Sequence, residues 1–173
     1  MNRKTPLLIA VLASAALSAH AQNLLTNPGF ETSDFTGWTP VGCQVDGIYV
    51  HSGRYSAHLG HSLNCSPFTC GGTLDQTITT VVGQLYHVDF WLANDSLPAG
   101  LHNSIVISFA GVTILSRVDS PGFPYTHFLG HVRATSASSL LHFSFSHSPH
   151  FPFFYAWYLD DVSVAMRTGG GSY

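Results

Sequence analysis

The sequence predicts an all-β chain folded as a two-sheet antiparallel jelly-roll β-sandwich, and three observations carry that prediction. In the clearest segments apolar and polar residues alternate with a period of two, as half-buried antiparallel strands require. Short runs of Val, Ile, Phe, Tyr, Thr and Ser are interrupted by Gly, Pro, Asn and Asp, the residues that build turns. No window shows a helical period. Beyond residue 21 there is no Lys and a single Glu, Glu31, which excludes long charged helices.

The elements follow in order. Strands are expected at about 23–26, 43–51, 54–60, 72–79, 84–94, 103–109, 112–117, 125–135, 139–147 and 155–165. In 84–94, Tyr86, Val88, Phe90 and Leu92 share one face, and His87, Asp89 and Trp91 share the other. In 139–147, Leu141, Phe143 and Phe145 oppose His142, Ser144 and Ser146. The stretches 94–103 and 118–124 read as loops from their Asp, Pro and Gly content, and 147–154 as a Pro-rich loop loaded with Phe and His. So many short strands in a chain of this size argue for two packed sheets, most simply a jelly roll.

Residues 1–21 read as an export signal. Arg3 and Lys4 form a charged start, Pro6 to Leu17 is an apolar run too short for a comfortable membrane span, and Ala19-His20-Ala21 fits a signal-peptidase site. The expected organisation is a signal over 1–21, one sandwich domain over 22–166 and a flexible Gly-rich tail over 167–173. Without the signal, four arginines face nine acidic residues, a formal charge of −5. Nucleic acid is therefore disfavoured as a partner. No later segment is long and apolar enough to span a bilayer, so no membrane association is expected after cleavage. Hydrophobic residues at 45% supply a core, while charged residues at 9% are far below the usual level of about 25%.

Export permits disulfides. Cys65 and Cys70 flank Ser-Pro-Phe-Thr, a turn-rich loop, and are the favoured pair; pairing of Cys43 with either remains the alternative. Ten histidines remain after His20 leaves, enough to reverse the net charge below about pH 6. His142, His147 and His150 are close in sequence but follow no zinc or copper spacing.

Five separated patches carry a resemblance. They are Asn23-Leu-Leu-Thr-Asn-Pro-Gly-Phe-Glu31 with Gly37-Trp38, His51-Ser-Gly-Arg-Tyr-Ser-Ala57, Leu74-Asp-Gln-Thr-Ile78, Gly83-Gln-Leu-Tyr-His-Val-Asp-Phe-Trp-Leu-Ala93, and Trp157-Tyr-Leu-Asp-Asp-Val-Ser-Val164. Together they resemble the galactose-binding-like jelly rolls of bacterial secreted proteins, which include carbohydrate-binding modules. The resemblance spans nearly all of 23–165 and implies a chain that is secreted, periplasmic or displayed on the cell surface. It also implies a structural calcium ion where the first and last strands meet, with Glu31 and Asp160 as ligands and Asn27 and Asp161 as lesser candidates. The residues agree: Asp160 shares a strand face with Val162 and Val164, and a carboxylate on an inward face needs a partner that no lysine supplies. Asp161 is expected to point the other way.

Such folds bind glycans by stacking rings on sugar faces. The candidates are His87, Asp89 and Trp91 on 84–94 with His142 on 139–147, which would line one groove if both strands lie in one sheet. No catalytic constellation stands out: Asp160 and Asp161 are adjacent and cannot flank one bond, and no Gly-x-Ser-x-Gly occurs. The expectation is a non-catalytic, carbohydrate-binding-module-like protein that binds a poly- or oligosaccharide weakly. The alternative is an exported structural or adhesive protein that does not bind sugar.

Overall fold

A computed structural model describes residues 22–60, 70–95, 101–148 and 156–167. The expected signal (1–21), most of the Phe-rich 147–154 loop, the tail beyond Arg167 and Cys65 lie outside the described residues, as does the side chain of Cys70. Ten strands are present: β1 (Thr39–Val41), β2 (Cys43–Asp46), β3 (Ser56–Leu59), β4 (Cys70–Thr79), β5 (Leu85–Asn94), β6 (Asn103–Phe109), β7 (Val112–Val118), β8 (Phe123–Arg133), β9 (Ser138–His147) and β10 (Trp157–Met166). They form two five-stranded antiparallel sheets, β1-β4-β9-β6-β7 and β2-β3-β10-β5-β8. The described residues contain no helix, and the expected jelly-roll sandwich is what the chain forms.

Period-two alternation builds the core. Phe90 of β5, Phe109 of β6, Phe143 of β9 and Trp157 of β10 are fully buried between the sheets. Phe90 meets Phe143 edge to face at 5.9 Å, an arrangement that suits the charge distribution of the rings. Phe30 and Trp38 of the first turn region join the same core, their rings 5.5 Å apart.

Two expected elements differ, and one strand is additional. The 23–26 segment is not a strand: Asn23 forms an isolated bridge to Ala165, and Leu24 N–H donates to Val164 O. The expected 43–51 strand stops at Asp46, whose side chain accepts the Ile48 N–H and turns the chain into a loop. The short β1 was not expected, since three residues containing Pro40 show no alternation; β1 lies at a sheet edge, where Pro is tolerated.

Cys43 is a free thiol, half-buried, with its sulfur 3.4 Å from both Val41 O and Thr73 O. That takes Cys43 out of the alternative pairings; the favoured Cys65–Cys70 bond falls outside the described side chains.

Candidate functional site

On β5 the even-numbered residues Tyr86, Val88, Phe90 and Leu92 are buried, so His87, Asp89 and Trp91 face outward from the second sheet. Register sets their neighbours. His131, Leu129 and His127 of β8 lie opposite His87, Asp89 and Trp91, while Ala165 and Ser163 of β10 flank His87 and Asp89 on the other side. His127 Nε2 lies 3.1 Å from Asp89 Oδ1, a cross-strand pair on this face.

His142 is not part of this arrangement. Strand β9 belongs to the other sheet, and there His142 Nδ1 lies 2.5 Å from Asp75 Oδ1. The condition for one shared groove is therefore not met: His87, Asp89 and Trp91 stay together, and His142 stands on the opposite outer face. The period-two pattern fixes which face of its own sheet a residue occupies, but not which sheet its strand joins.

The loop 47–55 between β2 and β3 drapes over this face and supplies rings that the sequence did not single out. His51 stacks on Trp91 with centroids 3.8 Å apart and an interplanar angle of 15°. Trp91 in turn meets His127 at 5.3 Å. His51 borders Tyr125 at 5.5 Å, Tyr125 stacks on Tyr49 at 5.2 Å, and Tyr49 meets Tyr158 edge on at 5.0 Å. The result is a continuous run of six rings, from His127 to Tyr158. Tyr49 and His127 are its exposed members. Burial pushes both the Tyr125 and Tyr158 hydroxyls well above the ordinary phenol value, so both stay protonated donors. Tyr125 OH donates to Tyr49 O at 3.0 Å, and Tyr158 OH to Asp95 Oδ2 at 3.2 Å.

The residues expected to hold calcium clamp the same loop. Asp160 is fully buried, and its Oδ2 accepts the N–H groups of His51 (2.9 Å) and Ser52 (3.1 Å) while Oδ1 accepts that of Asp161 (2.8 Å). Glu31 Oε1 accepts the N–H groups of Arg54 (3.0 Å) and Tyr55 (3.1 Å). Gly53 sits between the clamps at φ 68°, and a Cβ there would lie 2.2 Å from Glu31 Oε1. Asp161 does not point away as alternation implied. Its φ of 47° and the register shift between Asp160 and Ser163 bring its carboxylate to the loop, where it meets His51 Nδ1 at 2.6 Å and Ser52 Oγ at 2.8 Å. Asn27 serves its own turn: its side chain donates to Asp34 O and accepts the Thr32 N–H.

Burial pushes the Asp160 carboxyl up to about 6, against the three N–H donors that pull it down, and no cationic side chain contributes. The seam is thus rich in negative charge: the Cβ position of Gly29 is 3.5 Å from Asp161 Oδ1, 3.7 Å from Asp160 Oδ1 and 3.7 Å from Glu31 Cγ. A hard cation suits such an oxygen set, although the N–H groups already occupy part of it. Among the described residues no three His, Cys, Asp or Glu side chains are grouped to hold an ion by themselves, so backbone carbonyls would have to complete any shell.

Ser, His and Asp also meet at this loop, but not as a relay. Ser52 and His51 both bond to Asp161, so the imidazole is not placed to take the hydroxyl proton. A separate open pocket of about 340 Å³ lies at the β7–β8 edge, lined by Arg117, Ser120, Pro121, Phe123, Thr126 and Phe128.

No family model and no curated protein matches the sequence. Solved structures do share the fold. A CBM61 module in complex with β-1,4-galactotriose aligns with a TM-score of 0.54 at 19% identity, over 85% of this chain and all of that one. A xylan-binding CBM22 domain aligns with a TM-score of 0.53 at 14% identity, over 83% of this chain and 95% of that one. A Stig cyclase from Fischerella, in complex with an indole derivative, aligns with a TM-score of 0.55 at 12% identity, over 87% of this chain and all of that one. The neighbours thus include jelly-roll carbohydrate-binding modules and an enzyme on the same framework.

Proposed function

We propose that this chain is an exported, non-catalytic glycan-binding module, and that its ligand lies along the run of rings on the outer face of β3, β10, β5 and β8. The observation that carries the reading is that run itself. Six rings in mutual contact, edged by the His127–Asp89 pair, offer flat apolar faces beside hydrogen-bonding groups, the combination that a sugar presents in reverse. Trp91 backs the platform rather than meeting ligand alone, because His51 covers one of its faces. The exposed rings Tyr49 and His127 are the first contacts. The solved neighbours, a CBM61 module in complex with galactotriose and a xylan-binding domain, support a carbohydrate as the class of ligand.

Oligosaccharide-array binding followed by calorimetry tests the reading. Binding that weakens at least tenfold in Tyr49→Ala and in Trp91→Ala, with folding intact, supports it. Absence of binding to neutral and acidic glycans alike sinks it and leaves the exported structural or adhesive protein.

A structural calcium ion at the Glu31–Asp160 seam belongs to the same proposal. Support comes from the crowded carboxylates and from the buried Asp160, which has no cationic partner among the described residues. The competing account is that the two carboxylates simply cap the 51–55 loop, and the response of Asp160→Asn to chelator separates the two.

A further inference from the structure

The pocket at the β7–β8 edge lies apart from the run of rings, and it arises where two edge strands part. β7 ends the row of strands in the first sheet and β8 ends the row in the second. The two strands close on each other where Ile114 faces Gly130: a Cβ on Gly130 would lie 2.5 Å from Ile114 Cγ2. Toward the 119–122 turn they leave a pocket of about 340 Å³ between them. That is the low end of the range for small-molecule sites, about 300–1,000 Å³, and suits one aromatic ring with a short acid chain. Two rings make its apolar corner. Phe123 and Phe128 stand at 65° to each other with centroids 6.2 Å apart. Buried rings fix both from behind: Phe128 lies nearly parallel to Phe90 at 5.6 Å, and Phe123 meets Trp157 edge on at 6.1 Å. Such a corner accepts a third ring face-on to one wall and edge-on to the other.

The one charged group in the lining, Arg117, occupies a position that the strand pattern reserves for an apolar residue. Arg117 is the register partner of Ile105, as Leu115 is of Ile107, and both isoleucines are fully buried. Arg117 therefore projects from the side of its sheet that packs on the core. Its guanidinium has no hydrogen bond or ion pair among the described residues. Asp119, the nearest acid along the chain, lies 2.8 Å from His102 Nδ1 instead. Ser120 and Thr126 donate their hydroxyl protons to Pro121 O and Pro124 O, so Arg117 is the donor left for an anion. An inward charge can also guard a sheet edge against pairing with another sheet, but that role requires no ligand.

We propose that this pocket binds a small aromatic carboxylate, its ring in the Phe123–Phe128 corner and its carboxylate on the Arg117 guanidinium. The guanidinium and the carboxylate are both planar and can meet through two parallel, charge-assisted N–H···O bonds. The pocket opens between the two sheets, whereas the run of rings covers the outer face of one of them. The inference therefore stands independently of the glycan reading.

The test is calorimetry and NMR of the purified protein with trans-cinnamate, cinnamamide and hexanoate at neutral pH. Cinnamate is expected to bind at least tenfold tighter than cinnamamide, which lacks the charge, and tighter than hexanoate, which lacks the ring. It should shift the ring signals of Phe123 and Phe128 and leave those of Tyr49 and His127 in place. Arg117→Gln should bring cinnamate down to the affinity of cinnamamide, leave cinnamamide unchanged and preserve the melting temperature, since Arg117 is exposed and bonds nothing. Thr126→Tyr, which fills the pocket from β8, should abolish binding of both. No binding of cinnamate at millimolar concentration, equal affinity for cinnamate and its amide, or cinnamate binding indifferent to Arg117→Gln overturns the inference. Displacement of cinnamate by galactotriose would also overturn it and give the pocket to sugar. If the wild type ignores cinnamate while Arg117→Gln self-associates, Arg117 is an edge guard and the inference fails.

Discussion

Asp160 is where single-residue chemistry acts most directly on stability. Its carboxyl is pushed from 3.8 up to about 6, chiefly by burial, so between these values the folded state holds a proton that the unfolded state has lost. The contribution of this group is therefore fully present below about pH 4 and is lost as pH rises through about 6. In chelator, the melting temperature of the wild type relative to Asp160→Asn should fall over that window and level off above it. A bound calcium ion would reverse the trend, because it stabilises the ionised form. If calcium is structural, adding it at pH 7 raises the wild-type melting temperature and leaves Asp160→Asn nearly unmoved. Identical curves with chelator and with millimolar calcium would establish the carboxylates as loop caps. At Cys43, burial pushes the thiol to about 12, so almost no thiolate exists at neutral pH. Alkylating reagents at pH 8 should modify Cys43 only after denaturant is added; rapid labelling of the native protein at this site would contradict its half-buried placement.

The loop 47–55 is the element on which the site depends, and each of its ends is tied to a carboxylate. Gly53 allows that arrangement, because its φ of 68° strains any other residue and a Cβ there would push the Glu31 carboxylate off its N–H partners. Gly53→Ala should cost about 1–3 kcal/mol by denaturant unfolding and, on the proposed glycan reading, should also weaken sugar binding through loss of the ring stack. Unchanged stability in this variant would show that the loop is not held as described. The strands themselves were readable because β5 and β9 alternate cleanly, so inward Phe90 and Phe143 and outward Trp91 and His142 followed from the residues. Their assignment to opposite sheets was not readable, because strand partners are set by contacts far apart in sequence. The same limit hid Tyr49 and His51. They lie in a stretch that reads as strand, and bonds from Asp160 and Asp161 to His51 and from Ser56 and Tyr125 to Tyr49 O set His51 over Trp91 and Tyr49 over Tyr125. Asp161 escaped alternation through a bulge, and the Asp-Asp pair that looked two-faced serves one loop.

For the whole molecule, the absence of helix among the described residues predicts a far-ultraviolet circular dichroism spectrum dominated by strand. A helical fraction above about a quarter, near the usual globular level, would contradict the architecture. Core contacts between the sheets are shared by both halves of the sandwich, so Phe90→Ala should cost about 3–5 kcal/mol and loosen both sheets together. The position of β10 carries a further consequence, which concerns time. This strand lies between β3 and β5 and also receives Asn23 and Leu24, so a segment from the far end of the sequence completes the middle of a sheet. A ribosome delivers that segment after nearly everything it must join. Until residues 157–166 emerge, β3 and β5 have a gap between them, and the emerging chain has no closed sandwich to settle into. Folding that waits for its last strand should be slow, on the order of milliseconds to seconds, as for other proteins dominated by distant pairings.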